Sequence, residues 1–266
     1  MEAMNGTKTA LITGVTSGMG REFTYLLARD GYNLILVARD AAKLSVLETE
    51  LKEQYPGLAV NSIVQDLAEP EAAGMIYRAV EDIGVSVDIL ISNAGFNVYG
   101  SVEQTSMEVQ NALIQVNAIT PTMLAKLFLP GMLAKKAGKL LFLGSTASYC
   151  AATYSAVYCA SKAYVLRFSE SLSMEVRDTG VTVTCLCPGA TRTEFAAKAN
   201  LKKTRLFNIA VMDAKKVAQI GYQALIHKRP VVISGWFNKL LVKSMPFTPR
   251  CIADAMSCYL MAERGR

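Results

Sequence analysis

Two rhythms of apolar and polar positions alternate along the chain. Thr9–Thr13, Asn33–Ala38, Ala59–Gln65, Asp88–Ser92, Lys139–Leu143, Val181–Cys187 and Val231–Ser234 are short, mostly unbroken apolar runs and read as strands. Between them, Gly18–Arg29, Ala41–Gln54, Glu69–Asp82, Glu103–Leu129 and Ser155–Arg177 repeat apolar residues at helical spacing. Strands that are apolar on both faces belong in a parallel sheet covered on both sides. The pattern therefore predicts an α/β, doubly wound fold with about seven strands. No linker, repeat or low-complexity segment divides it, so residues 1–266 form one domain.

Composition agrees with that reading. A 266-residue chain with 52% apolar and 19% charged residues buries a large core and excludes disorder. The net charge of +6 is uneven: residues 201–266 carry twelve basic and three acidic side chains, whereas residues 1–100 are net acidic. The basic residues come in pairs at helical spacing, such as Lys202-Lys203, Lys215-Lys216 and Lys228-Arg229. Solvated helix faces explain them better than a nucleic-acid patch does. Cys185 and Cys187 fall on one face of a strand, and His227 is the single histidine, so no metal site is expected. Six cysteines in a chain of this size read as thiols in a reducing, cytoplasmic setting. No leader sequence is expected at the start. The uncharged run Leu140–Ser161 has spanning length but is rich in Ser, Thr, Tyr and Gly, so no membrane span is expected.

Chemistry enters at the first strand–helix turn. Gly14, Gly18 and Gly20 let backbone approach a phosphate, and the helix start supplies unpaired amides and a positive dipole. A dinucleotide-binding, Rossmann-type turn is the functional reading. A second group comprises Tyr158 and Lys162, four apart on one helix face, with Ser145 thirteen residues upstream of the tyrosine at a strand end. A phenol is a poor base near neutral pH unless its anion is stabilised. A lysine one turn away provides that stabilisation, and a serine hydroxyl can hold a substrate oxygen beside it.

Thr13-Gly14-Val15-Thr16-Ser17-Gly18-Met19-Gly20, Asn93-Ala94-Gly95, Asn117, Ser145, Tyr158-x-x-x-Lys162 and Pro188-Gly189 resemble the short-chain dehydrogenase/reductase family in order and spacing. The resemblance covers about residues 7 to 195. It implies Tyr158 as acid/base, Ser145 as the hydroxyl polarising a carbonyl, and Lys162 as the residue that lowers the tyrosine pKa and binds the nicotinamide ribose. It also implies Asn117 as a proton-relay asparagine. Thr16, Ser17, Gly18, Met19 and Gly20 would hold the cofactor in the glycine turn. Asn93, Ala94 and Gly95 would close over the adenosine side, Asp66-Leu67 would contact adenine, and Pro188, Gly189, Thr191 and Thr193 would meet the nicotinamide.

The second strand ends Val37-Ala38-Arg39, where an acid would favour NAD. Arg39 suits a 2′-phosphate, with Ser17 adding a hydroxyl, so NADP(H) is the expected cofactor. Phe96, Tyr149, Tyr154 and Phe195, with Leu206-Phe207, suggest an aromatic pocket for a bulky hydrophobic ketone or alcohol. The resemblance points to the branch of steroid-dehydrogenase-like and carbonyl reductases. A steroid- or bile-acid-like hydroxyl is the first substrate expectation and a 3-ketoacyl or general carbonyl substrate the alternative. A non-catalytic cofactor sensor is disfavoured by the complete Ser145, Tyr158, Lys162 set. Residues from about 190 to 266 are expected to form the substrate-side lid, with Val231–Phe247 as the cleft edge and a subunit contact, being too irregular for a membrane anchor. A homodimer or homotetramer is expected to pack through Met107, Val109, Leu113, Ile114, Met123, Leu124, Val165, Leu166 and Phe168.

Overall fold

The computed structural model describes residues 8–195, 204–205 and 211–262. Strands β1 (Thr9–Thr13), β2 (Asn33–Ala38), β3 (Val60–Val64), β4 (Val87–Ser92), β5 (Gly138–Leu143), β6 (Val181–Cys187) and β9 (Val231–Ile233) form one parallel sheet in the order β3-β2-β1-β4-β5-β6-β9. Helices α1 (Gly18–Arg29), α2 (Ala41–Gln54) and α7 (Ala214–Ile226) cover one face. Helices α3 (Ala72–Ile83), α5 (Thr120–Ala134) and α6 (Ala156–Glu175) cover the other. Ile12, Leu34, Leu36 and Leu141 point to the first layer, and Leu11, Ile35, Leu90 and Leu140 to the second. Every central strand is thus buried on both sides, as its unbroken apolar run requires.

Strand order reverses between β1 and β4, which opens a crevice at the carboxyl ends of the strands. Gly14, Asn93, Ser145 and Pro188 all lie just past those ends. The topology alone therefore gathers four distant segments into one site.

Several boundaries depart from expectation. The long helical stretch begins at α4 (Met107–Ile114), capped by the Ser106 hydroxyl, which accepts from the Val109 amide at 3.4 Å. It is interrupted by a π turn over Gln115–Ile119 and then passes through Pro130 to Ala134. Burial of Leu124, Ala125, Phe128 and Met132 carries it past the proline. Met107–Ala134 is long and apolar enough to span a bilayer, yet half of its most apolar stretch is buried in the protein. α3 starts at Ala72 rather than Glu69, after a turn closed by the Ala72 amide on the Glu69 carbonyl. Two further strands, β7 (Thr191–Arg192) and β8 (Met212–Asp213), pair in parallel beside the sheet. Finally, α8 (Trp236–Ser244) and α9 (Arg250–Met261) follow β9, joined by a short turn at Met245–Phe247. The irregularity expected from Pro246 is confined to that turn.

Candidate active site

The glycine turn is stitched to the strand beside it. The Asn93 side-chain amide donates to the carbonyls of Thr13 (2.9 Å) and Gly14 (3.1 Å). The Thr13 hydroxyl accepts from the amides of Asn93 and Ala94, both at 3.1 Å. Gly20 cannot be replaced: a Cβ there would lie 2.1 Å from the Gly14 carbonyl oxygen and 2.4 Å from the Asn93 amide nitrogen. Gly14 and Gly18 adopt φ of 71° and 58°, and a Cβ on Gly18 would stand 3.1 Å from Thr193. The Ser17 hydroxyl makes no capping bond to α1, so the first amides of α1 have no side-chain cap. A backbone cradle without Cβ atoms, ending at uncapped helix amides, fits the pyrophosphate of a dinucleotide. Met19 packs against the core below the turn.

Between the glycine turn and α2, Thr16, Arg21, Ala42, Lys43, Val46, Leu47 and Glu50 line an open cleft of about 300 Å³. Arg39 is exposed just past β2 and makes no ion pair with any described residue. Asp40 is committed instead to capping α2, accepting from the Lys43 amide at 3.1 Å. Sequence reasoning overlooked Lys43, although it lies one helical turn from Arg39. Past β3, the Asp66 carboxylate accepts from the Ala68 amide at 2.9 Å, and Leu67 is buried with its carbonyl bound by Thr120.

The catalytic candidates meet above β5. Ser145 caps the short 3-10 turn Thr146–Tyr149: its hydroxyl accepts from the Ala147 amide at 3.1 Å, and its own amide donates to the Ser148 hydroxyl at 3.2 Å. Ser148 in turn donates to the Lys162 carbonyl at 2.8 Å, which fixes the turn to α6. The Thr146 amide donates to the Pro188 carbonyl at 2.8 Å, tying in the segment after β6. Burial holds the Tyr158 phenol above its ordinary pKa, and the neighbouring Ser145 hydroxyl works against that rise. Lys162 is 3% exposed, and its Nζ donates to the Leu143 carbonyl at 2.7 Å. Burial brings its ammonium down to about 8, with neighbouring Cys185 and Cys187 opposing the shift. The expected lowering of the tyrosine by the lysine is not present in this geometry. Nζ is turned to Leu143 and stands 5.8 Å from the centroid of the Tyr158 ring.

Asn117 sits inside the π turn, a feature common at functional sites. Its Oδ1 accepts from the Phe96 amide at 3.0 Å, and its Nδ2 donates to the Phe96 carbonyl at 2.9 Å and to Ser161 at 3.2 Å. The side chain is fully occupied as a strut between α6 and the segment after β4. A Cβ on Gly95 would lie 3.0 Å from Asn117 Oδ1 and 3.3 Å from Lys162 Nζ. Gly95 is therefore the point where the amide and the ammonium converge. Past β6, Asn238 of α8 fills the space beside Gly189, where a Cβ would stand 2.4 Å from its amide nitrogen. Thr191 is buried, with its hydroxyl on the Gly189 carbonyl at 2.9 Å. Asn238 lies so far along the chain that only its fold reveals this contact.

The expected substrate residues divide into two groups. Phe195 stands over Tyr158 with ring centroids 5.8 Å apart. Tyr154, at a φ of 60°, is 5.3 Å from Tyr99, whose hydroxyl donates to the Met261 carbonyl at 2.6 Å. Phe96 packs on the second core layer. Tyr149 turns away from these rings into a cluster with Leu166, Cys185 and Cys187, its hydroxyl 4.0 Å from the Cys187 sulfur. Leu206 and Phe207 lie outside the described residues.

A sequence model of the family described as short chain dehydrogenase matches residues 8–204. The chain belongs to the short-chain dehydrogenase family. It is an oxidoreductase on the Rossmann-like fold of that family. The very-long-chain 3-oxoacyl-CoA reductase of Mycosarcoma maydis is 31% identical over 243 residues, spanning 88% of this chain and 67% of that relative. A short-chain dehydrogenase from Sphingobium yanoikuyae, solved in complex with NADPH, is 28% identical with a TM-score of 0.80, covering 90% of this chain and 94% of its own. A structure addressing 7beta-hydroxysteroid dehydrogenase stereoselectivity is 25% identical with a TM-score of 0.85, covering 94% and 96%. The glycine cradle described above fits the nicotinamide nucleotide that this family uses.

Proposed function

We propose that this short-chain dehydrogenase interconverts a ketone and a secondary alcohol on a bulky hydrophobic substrate, using NADP(H). The observation that carries the reading is the position of the Tyr158 phenol, neighboured by Ser145 and roofed by Phe195 beside the Tyr99–Tyr154 pair. The preference for NADP rests on the uncommitted Arg39, the capping role of Asp40 and the nearby Lys43, which together leave net positive charge for a 2′-phosphate.

When bound, the nicotinamide supplies or accepts the hydride. Pro188, Gly189, Thr191 and Thr193 would border it, and Lys162 would serve its ribose. The substrate oxygen sits between Ser145 and Tyr158. Because Ser145 Oγ already accepts from the Ala147 amide, its own proton is available to polarise that oxygen. The raised pKa of Tyr158 keeps the phenol protonated at neutral pH, so it is loaded as a proton donor for ketone reduction. Lys162 holds positive charge beneath it, one of its protons directed to Leu143. Asn117 positions Phe96 and α6 so that these groups stay in register.

The substrate class follows from the mouth, which is aromatic and carries no carboxylate among the rings named above. A steroid-like alcohol suits it. The very-long-chain 3-oxoacyl-CoA reductase relative favours a second reading, a 3-oxoacyl thioester with a long chain. A lid role for the described part of the chain after about residue 190 is supported by α9, whose Met261 packs with Tyr99, Ala152 and Phe195. Association into a dimer or tetramer is supported by Met107, Val109, Ile114 and Met123, which remain exposed. Leu113, Leu124, Val165 and Leu166, also expected there, are taken up by the protein's own core.

Oxidation of NADPH and NADH with a panel of steroid ketones, aryl ketones and 3-oxoacyl thioesters tests the assignment. The proposal expects turnover of a bulky ketone or thioester, faster with NADPH. Substrate-independent binding without turnover across the panel would contradict it.

A further inference from the structure

The twenty-six residues from Trp236 to Met261 expose apolar side chains that no described element covers, apart from the Arg205 guanidinium, which lies 4.4 Å over the Tyr259 ring. Trp236 is 77% exposed, Leu240 60%, Phe247 88% and Tyr259 60%. On α8, Trp236, Lys239, Leu240 and Lys243 share one face at helical spacing, while Asn238 and Val242 face inward. α9 is anchored by Met261 in the cluster with Tyr99 and Phe195, and by Ser257, whose hydroxyl donates to the Ala151 carbonyl at 2.7 Å. The outer stripe of α9 carries Ile252 and Tyr259. Lys239, Lys243 and Arg250 punctuate the surface, against the single acid Asp254.

We propose that this carboxyl-terminal surface docks on an anionic lipid bilayer. An apolar stripe carrying Trp and Leu, edged by lysines, has the chemistry of a helix that lies in the headgroup region. Tryptophan and tyrosine suit that depth, because each has an apolar body and a polar tip. Charge selects the lipid over a second copy of the chain. A two-fold self-contact would press two copies of the same net-basic surface together, like charge against like charge, whereas an anionic surface neutralises Lys239, Lys243 and Arg250. The surface is also continuous with the aromatic mouth through α9. Docking would set that mouth beside the hydrocarbon from which an apolar substrate partitions. The docking itself does not depend on the substrate proposed above.

The chain contains one tryptophan, Trp236, so the surface reports on itself. The full chain is mixed with phosphatidylcholine vesicles with and without phosphatidylglycerol, and both tryptophan emission and co-sedimentation are followed. A blue shift and sedimentation with the anionic vesicles, weakened by salt, is the expected result. Lys243→Glu should lower partitioning by more than about fivefold, since removal of one cation near an anionic surface corresponds to roughly 1 kcal/mol. Phe247→Asp should abolish the shift, with circular dichroism and NADPH binding unchanged because the side chain is almost fully exposed. No shift with either vesicle would overturn the proposal. So would a blue shift that rises with protein concentration in the absence of lipid, which would assign the surface to a second copy.

Discussion

The floor and the mouth of the site are built by opposite means. The floor is backbone, glycine and short polar side chains, each held by hydrogen bonds to a neighbouring strand end or to α6: Asn93 to Thr13 and Gly14, Asn117 to Phe96 and Ser161, Ser148 to Lys162. Its tolerances are tenths of an ångström, because a Cβ at Gly20, Gly95 or Gly189 meets a neighbour at 3.0 Å or less. The mouth is made of aromatic rings and the outer helix α9, held by ring contacts and by a few bonds such as Tyr99 to Met261. Such contacts tolerate changes of shape that hydrogen-bonded backbone does not. One rigid nucleotide floor can therefore serve many substrates through changes confined to the mouth, which is how a fold supports several functions.

Four perturbations probe that contrast, and the first strikes the floor. Tyr158→Phe removes one hydroxyl and leaves the ring on Phe195, so kcat should fall about 10³-fold. Fluorescence titration should show NADPH binding retained, and a variant keeping a tenth of wild-type kcat would remove the phenol from the mechanism. Arg39→Asp should weaken NADPH binding roughly tenfold to hundredfold and turn the preference toward NADH. Equal efficiency of the two cofactors in the wild type would show that Arg39 serves solvent alone.

The third concerns pH. Lys162 is charged below about 8 and neutral above it, so kcat/KM for ketone reduction should decline as pH rises through that value. A flat profile beyond it would show that the charge is dispensable. The stability sign is the reverse. The folded pKa of Lys162 lies below its ordinary value, so between about 8 and that ordinary value the unfolded chain binds the extra proton. The lysine's penalty is full below about 8 and is relieved as pH rises. Lys162→Met should therefore leave Tm at neutral pH unchanged or higher while activity is lost. The smallest effect belongs to the mouth. Phe195→Ala should raise KM for a bulky ketone several-fold with kcat nearly constant, whereas an equal fall in kcat would make Phe195 part of the chemical step.

The floor was readable in the sequence because its chemistry is local. Glycines after an apolar run, a Tyr and Lys one turn apart and a serine at a strand end each announce themselves within a few residues. The π turn around Asn117 was hidden because Gln115–Ile119 has ordinary helical periodicity, and only packing selects the wider turn. Tyr149 shows the same limit. Its neighbours in sequence suggested the pocket, but the 3-10 turn capped by Ser145 rotates it toward Cys187. Asn238 beside Gly189, and Tyr99 beneath Met261, join residues far apart in the chain. No periodicity encodes such contacts. The two outer helices were missed because Pro246 looked disruptive, whereas it occupies a three-residue turn between them.

A reductive site on Tyr158 served by NADPH is open to a direct test by following a label. The wild-type chain is incubated with a bulky ketone and NADPH carrying two deuterium atoms at the nicotinamide C4, and the product alcohol is examined by mass spectrometry. One deuterium on the carbinol carbon is expected in the wild type, and almost no product from Tyr158→Phe. Alcohol without deuterium, or labelled alcohol formed as readily by the phenylalanine variant, would contradict it.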